Sequence, residues 1–468
     1  MKKLITLAIF CLFLPVSCNS KDKPPILINN ENKTVAIQEE KAPDDGQTTL
    51  RISTEFPPMG FADFIKAFEA THPGVKIEWT NYVDINSFGP SAYDSKIGTA
   101  LMASGADDII HMSGVMIYYY SNSGYFENLY EYMESDEKFN IDDYYTNIFE
   151  AFEVDGKLYT FPTYIDLKFV GINDEFVSNT TPLLSEIATI SYKEMVDMYN
   201  SIEDKKGRYM YTSFDFMNTD FAYEYIDFEN KKCYFDSSDF LDWINTIKDL
   251  RHPNKAYFAG GTALPPSQGG YDFGGNLEAE NFIFDTIYYY KKAGFISDEA
   301  PFSNYEFGPA QLRFKNASPI SDSNGNIMFT PSAGCFGINS NSENKELAWE
   351  FLEFINSYEV ITDTVFKPYD VVCVNRKANI DLCKDYYLSA FLEENSMSTQ
   401  DLSDEGKAAI DKAVEYIDKI CSMPMSTSAT KPNIDYHQIF TKFVDGSITD
   451  VQAVQQIQNL VELVLLEK

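Results

Sequence analysis

The sequence predicts an α/β protein built as two lobes, and three observations carry the prediction. Strand-like and helix-like segments alternate between Thr49 and Met112. A turn pair, a proline and a fresh apolar run follow one another between Phe152 and Asp174. A strand followed by an amphipathic helix returns much later, between Phe329 and Phe354.

Leu50 to Thr54 opens the body as a strand, and the loop Glu55 to Gly60 follows it. Phe61, Phe64, Ile65 and Phe68 recur at helical spacing, so Phe61 to Thr71 reads as an amphipathic helix, stopped by His72-Pro73-Gly74. Val75 to Trp79 alternates as a second strand, Tyr93 to Ser104 reads as a helix ending at Gly105, and Asp108 to Met112 is a third strand. Strand, helix, strand, helix, strand is the rhythm of a parallel sheet.

The stretch Phe152 to Asp174 reads as the place where the backbone crosses from one lobe to the other. Phe152-Glu153-Val154 and Lys157 to Phe161 flank Asp155-Gly156, a pair that tolerates the positive φ values of a tight hairpin turn. Pro162 has no N–H for a central strand, so the chain is expected to leave the sheet there. Thr163 to Asp166 is then an exposed irregular segment, and Leu167 to Ile172 a new strand. In the middle of the chain Ser191 to Ile202, Asp236 to Leu250 and Glu280 to Tyr290 read as helical. Arg251 to Gly275, rich in Gly and Pro, is a long loop, either a lid-like element or disorder. Phe329 to Ile338 is a returning strand, Ser340 to Ser342 an N-cap region, and Leu347, Phe351 and Phe354 a buried helical stripe. Val371 to Arg376 reads as a third interlobe segment, with helices from Asp404 to Cys421 and Asp435 to Leu466 closing the chain. Trp243 and Trp349 fall inside helices as packing residues. Asp322 to Asn326 lacks the alternation and terminal Glu of a calcium loop and reads as a turn.

With 468 residues, 44% of them apolar, the chain can bury a large core. Its 71 acidic and 37 basic residues give a formal charge of −34, which argues against nucleic acid and against docking on anionic lipid by charge. Beyond Cys18 stand Cys233, Cys335, Cys373, Cys383 and Cys421, too widely spaced for a CxxC metal site. They are expected as buried thiols, although Cys373 and Cys383 can pair if their segments meet. No HExxH, GxSxG, P-loop or GxGxxG pattern is present, and the four histidines are scattered. No cofactor, no metal and no catalytic residues are expected. The enzyme alternative, a surface lipoprotein acting on polysaccharide, would need a carboxylate pair chosen freely from 71 candidates.

Lys2-Lys3 and the apolar run Leu4 to Leu14 form a signal-peptide pattern, too short to span a membrane as a mature helix. Leu14-Pro15-Val16-Ser17-Cys18-Asn19 resembles a bacterial lipobox, with Pro15 where that pattern prefers Leu. The resemblance implies a signal peptide over residues 1–17, diacylation of Cys18, and a polar tether over 18–48 that links a lipid anchor to the body.

Three passages in order, Phe64 to Trp79, Tyr93 to Ile110 and Ser123 to Met133, resemble the opening of extracellular solute-binding protein family 1, the carbohydrate-importer branch. The passage DGKLYTFP (Asp155 to Pro162) follows where that family places it. Gly334 to Ser342, then Asn344 to Phe354, is similar to the family's later passage of a GI-Asn turn and an NK-x-x-A-W-x-F helix. The resemblance runs over residues 50–465. It implies a periplasmic-binding-protein-like type II fold, two α/β lobes joined by a hinge, with 49–168 and 331–371 in lobe 1 and 169–330 and 372–468 in lobe 2. It further implies a monomeric lipoprotein on the extracytoplasmic face of the cell membrane. Such a protein captures a carbohydrate, with an oligosaccharide favoured, and delivers it to ABC-importer permease subunits.

In family terms the cleft walls come from the loop after the first strand (Glu55, Phe56), the loop after the third (His111, Ser113), the crossing (Tyr164, Asp166) and the helix carrying Asp285 and Tyr288. Carboxylates suit sugar hydroxyls and aromatic planes suit ring faces. Met112, Val115 and Met116 stand where maltodextrin-binding relatives place aromatic and charged groups, which speaks against maltodextrin. Asp166 is either a ligand acceptor or the cap of a local turn.

Overall fold

The computed structural model describes residues 47–466, apart from 56, 59, 83–91, 173–188, 202–208, 212–220, 251–281, 288–305, 308–311, 314–315, 333, 364–370, 395–397, 400–401 and 433. The signal, lipobox and tether expectations, and the Gly/Pro-rich segment 251–275, lie outside the described residues.

The first lobe begins as the alternation requires. Strands β1 (Thr48–Thr54), β2 (Val75–Asn81) and β3 (Ile109–His111) run parallel in the order β2-β1-β3, with helices α1 (Phe61–Thr71) and α2 (Ala92–Met102) as crossovers. Phe61, Phe64, Ile65 and Phe68 form the buried face of α1. Helices α3 (Gly114–Tyr120), α4 (Leu129–Ser135) and α5 (Thr146–Phe152) follow. Phe152 therefore closes a helix instead of opening a hairpin strand. The turn itself forms as the sequence demands: Asp155 and Gly156 have φ 53° and 71°, and Val154 bridges Lys157.

The crossing differs from the expected irregular segment. Strand β4 (Tyr164–Leu167) is hydrogen-bonded on both sides, and β5 (Phe169–Ile172) continues beyond Lys168. Pro162 lies two residues before the ladder, so its missing N–H costs no strand bond. Two-sided pairing also buries Tyr164 and Ile165, which were expected at an exposed crossing.

In the second lobe β6 (Ile190–Ser191) leads into α6 (Tyr192–Ser201), and β7 (Tyr209–Tyr211), β8 (Ile226–Asp227) and β9 (Lys232–Cys233) precede α7 (Ser238–Leu250). The segment expected as helix around Asp285 is strand β10 (Phe282–Ile287), antiparallel to β5 and parallel to β7. Its Phe-Ile-Phe-Asp-Thr-Ile composition is β-branched and aromatic, and tertiary pairing settles what mixed spacing left open. Short strands β11 (Glu306–Phe307) and β12 (Leu312–Arg313) pair with each other. The chain returns through β13 (Asn316–Ser321) and β14 (Ile327–Pro331), which join β5 to β4 in one sheet. Between them Asp322 accepts the backbone N–H groups of Asn324 and Asn326, each at 2.9 Å, a turn as the sequence indicated.

Strand β15 (Phe336–Ile338) closes the first sheet antiparallel to β3. Helix α8 (Lys345–Ile355) starts after Asn344, which makes no side-chain cap bond but donates its own N–H to Ser342 Oγ, and α9 (Tyr358–Asp363) follows. Strand β16 (Val372–Cys373) pairs with β4. Helix α10 (Arg376–Glu394) has no counterpart in the sequence reading. Helix α11 (Asp404–Cys421), strand β17 (Met425–Thr427) and helices α12 (His437–Val444) and α13 (Asp450–Leu466) complete the chain, the last two separated at Gly446 with φ 81°.

Two large cores are separate. The first gathers the parallel sheet and α1 to α5, together with Phe329, Phe336, Trp349 and Phe351. The second gathers Tyr192, Phe221, Trp243 and Phe440 with the buried stripe of α13. Segment 372–421, assigned by sequence to the second lobe, gives Val372, Cys383, Tyr387 and Ile417 to the first core instead. Its attachment is specific: Asn147 donates to the carbonyls of Cys421 and Met423, and Tyr145 and Arg376 both bind Asp418. None of the five described cysteines is in a disulfide and four are buried, so Cys373 and Cys383 do not pair.

Candidate functional site

Parallel strands bring their carboxyl ends to one edge, and the loops beyond that edge are where α/β lobes carry ligands. Here that edge holds Glu55 after β1, Tyr82 after β2, and His111 to Ser113 after β3. Tyr93, from α2, lies buried beneath them and donates its hydroxyl to the His111 carbonyl at 2.7 Å and the Ser53 carbonyl at 3.2 Å. Burial raises the Tyr93 phenol far above its ordinary range, with Asp94 and Glu55 adding to the shift. Glu55 is half-buried beside this phenol.

Ser113 caps α3, accepting the Met116 N–H at 3.2 Å and donating to Asp94 Oδ1 at 2.7 Å. His111 sits deeper than a cleft residue: its ring packs 5.8 Å from Phe336 and 6.2 Å from Tyr93, and burial pushes its pKa down to about 4. The imidazole is thus a neutral core group at ordinary pH.

Tyr164 and Asp166 share one face of β4, opposite Ile165 and Leu167 in the first core. The Tyr164 ring packs with Ile361, Cys373 and Leu382 and is no open stacking plane. Asp166 is half-buried, paired across the ladder with Thr330. It lies near Cys335, whose thiol is pushed up to about 12 by burial and then by this carboxylate. The structure therefore gathers Glu55, His111 and Ser113 at one sheet edge and sets Asp166 on the crossing. Asp285 is on β10, while Phe56 and Tyr288 lie outside the described residues.

A cavity of about 220 Å³ forms where the β13–β14 turn, the turn Tyr223–Tyr225 and the segment after β17 meet. Tyr223 and Met328 belong to the second core, and Met425 and Ala429, beside the lining residues Ser426 and Ser428, to the first. Ala429 in turn lies against Gly114 at the start of α3, with its Cα 3.7 Å from where a Cβ on Gly114 would stand. Glu224, Asp322 and Lys431 face the cavity. Burial, then the neighbouring Asp322, raises Glu224 to about 7, against the opposing pull of the Ser323 backbone N–H and Lys431.

Residues 63–379, more than half of the chain, match the model of the bacterial extracellular solute-binding proteins. The chain belongs to this family. Membership in these extracellular solute-binding proteins makes the chain a substrate-binding protein on the extracytoplasmic side, and no helix among the described residues is long and apolar enough to cross a membrane. Solved structures with the same fold include the sugar-binding protein MalE from Xanthomonas citri (TM-score 0.58, 14% identity, covering 90% of this chain and 98% of that one). A cyclic alpha-maltosyl-1,6-maltose binding protein from Arthrobacter globiformis aligns at TM-score 0.54 and 12% identity, over 90% of this chain and 100% of the other. An ABC substrate-binding protein from Listeria monocytogenes, in complex with cycloalternan, aligns at TM-score 0.53 and 15% identity, over 90% and 99%. No curated protein matches the chain. In this solute-binding protein the cavity residues Tyr223, Glu224 and Lys431 carry no signal in the sequence, and Asp322 reads there only as a turn residue. They converge from distant segments, and no spacing rule announces them.

Proposed function

We propose that this solute-binding protein captures a carbohydrate, an oligosaccharide by preference, between its two lobes and hands it to the permease subunits of an ABC importer. Family membership over residues 63–379 carries the reading, and the sugar ligands named for the structural neighbours support the substrate class. Two cores linked by β4–β5 and β13–β14 suit a hinge, and a ligand favours closure only through contacts to both lobes. On the first lobe Glu55 and Ser113 accept or donate to hydroxyls at the sheet edge. Asp166 acts from the crossing, and Asp285 on β10 is a further polar candidate. The protein works as a monomer held at the membrane by diacylated Cys18, with residues 18–48 as tether.

A thermal-shift screen of the body from Gly46 onward tests this, since a ligand that binds only the folded state raises apparent stability. Mono- and oligosaccharides are compared with peptides and simple polyols. Stabilisation by sugars, saturable in calorimetry and without product, is expected. Selective stabilisation by peptides, or turnover of a glycoside, contradicts the proposal.

A further inference from the structure

Asn324-Gly325 is the only Asn-Gly pair in the sequence, and it forms the tip of the β13–β14 turn, with Asn324 in the wall of the cavity between the two cores. In such a pair a backbone amide nitrogen can attack the preceding side-chain amide, because glycine has no Cβ to block the approach and reaches conformations closed to other residues. Asn324 and Gly325 are both exposed, and a Cβ built on Gly325 would meet nothing within 4 Å, so water and an imide ring both have room. Gly325 has φ 82°, in the left-handed region. Its N–H donates to the Asp322 carbonyl at 3.0 Å. The Asp322 carboxylate meanwhile accepts the backbone N–H groups of Asn324 and Asn326, each at 2.9 Å, and the Asn326 side-chain amide at 3.0 Å. The nucleophilic nitrogen is therefore open to solvent but restrained by the turn that presents it.

We propose that Asn324 is a site of spontaneous deamidation, gated by the hydrogen bonds that Asp322 makes across the turn. The Gly325 nitrogen gives up its proton to hydroxide and forms a bond to Asn324 Cγ. The Cγ–Nδ2 bond then breaks, the nitrogen leaves as ammonia after taking a proton from water, and a cyclic imide remains. Water adds to one imide carbonyl and opens the ring to aspartate, or adds to the other and opens it to isoaspartate. In sum an amide and a water become a carboxylic acid and ammonia, with no oxidant or reductant. Attack requires the Gly325 N–H to leave the Asp322 carbonyl, and the bonds to the Asp322 carboxylate oppose that opening. The product places a further negative charge beside Asp322 and Glu224 in the cavity wall. In the isoaspartyl form the connection between β13 and β14 is longer by a methylene, which takes the Gly325 N–H out of register with the Asp322 carbonyl. Because β13 and β14 join the two cores, the reaction alters a connection through which the lobes are tied. It does so whatever solute is captured.

The test is mass spectrometry of the full chain incubated at pH 6 and pH 8. Proteolytic fragments containing Asn324 are followed over time, with a synthetic peptide of residues 321–328 as the unrestrained reference. Wild type, Asn324→Gln and Asp322→Ala are compared, with melting temperatures as a fold control. The expected result is the mass gain of an amide becoming an acid, located at Asn324, faster at pH 8 than at pH 6 and absent at that position in Asn324→Gln. The product should divide between aspartyl and isoaspartyl fragments. Wild type should react about tenfold more slowly than the peptide, and Asp322→Ala about tenfold faster than wild type, since each hydrogen bond lost makes opening easier. If Asp322→Ala unfolds, wild type against the peptide decides alone: slower conversion supports the proposal, and equal conversion or none overturns it. No conversion at Asn324 in wild type or in folded Asp322→Ala, over a time in which the peptide converts, overturns the site. Folded Asp322→Ala reacting no faster than wild type overturns the gate and with it the proposal.

Discussion

Gly337, in β15, shows how little room the first lobe leaves for change. A Cβ there would stand 2.5 Å from Met112 Sδ, 2.8 Å from the Tyr159 carbonyl oxygen and 2.9 Å from the Phe126 ring. Sulfur and ring can shift, but the carbonyl belongs to the backbone, so Gly337→Ala should cost about 1–3 kcal/mol, seen as a lowered denaturation midpoint. His111 behaves differently, through pH. Its imidazole titrates near 4 when folded and near its ordinary 6.5 when unfolded, so between those values the unfolded chain binds more protons. Stability is complete above about pH 6.5 and falls toward pH 4, by roughly 3 kcal/mol in all. His111→Phe should flatten that part of the melting-temperature profile, and an unchanged slope would mean that other groups carry it. At the crossing, Asp166→Ala separates its two possible roles. Charge-assisted bonds contribute roughly 1.5–3 kcal/mol, so a ligand role predicts about ten- to hundredfold weaker sugar binding with unchanged melting. Lowered melting with unchanged affinity assigns Asp166 to the β4 ladder alone.

Elements whose own residues decide their conformation were legible in advance. The β1-α1-β2-α2-β3 rhythm and the Asp155-Gly156 turn follow from local periodicity or a positive φ and stand close to their expected bounds, while α8 forms as expected but buries Ala348, Trp349, Phe351, Leu352 and Ile355, with Leu347 and Phe354 of the expected stripe only partly buried. What escaped was decided from outside the segment. Strand β4 became central because β14 and β16 pair with it, and β10 became a strand because β5 and β7 flank it. Helix α10 mixes Arg, Lys, Asp and Asn around its turns and has no clean apolar stripe to read. The candidate site divides the same way. Glu55 and Ser113 were legible because strand ends locate them, whereas Glu224 and Lys431 meet only after folding. Where local signal and tertiary packing agree, as in α8, disruption should be severe. The Trp349 ring stacks on Phe161 at 5.9 Å, and its Nε1–H donates to Asp136 at 3.0 Å. Trp349→Ala should therefore destabilise by about 3–5 kcal/mol, measured by denaturant unfolding of the first-lobe fluorescence or circular dichroism signal.

At the scale of the whole molecule, two separate cores share one extended sheet, and that arrangement dictates how ligand energy is used. The strands that pass between the two cores, β4–β5 and β13–β14, are short and interrupted at Lys168 and at the Asp322 turn. Interruption matters because a hinge absorbs its rotation in a few backbone torsions at element ends. Lys168 is well placed for this: its N–H donates to the Met328 carbonyl at 3.2 Å and its carbonyl accepts from Ile320 at 2.8 Å, so one residue ties both crossings together. A sugar bound to one lobe alone gives no reason to close, whereas one bridging Glu55 or Ser113 to the second lobe stabilises the closed form by its differential contacts. Small-angle scattering with and without a saturating sugar should therefore show a smaller radius of gyration in the bound state. Lys168→Pro removes the Met328 bond and stiffens the same torsion, so it should reduce the contraction and weaken affinity together while the melting of each core is retained. Tight binding with no contraction in wild type would show that the two lobes do not close on the ligand.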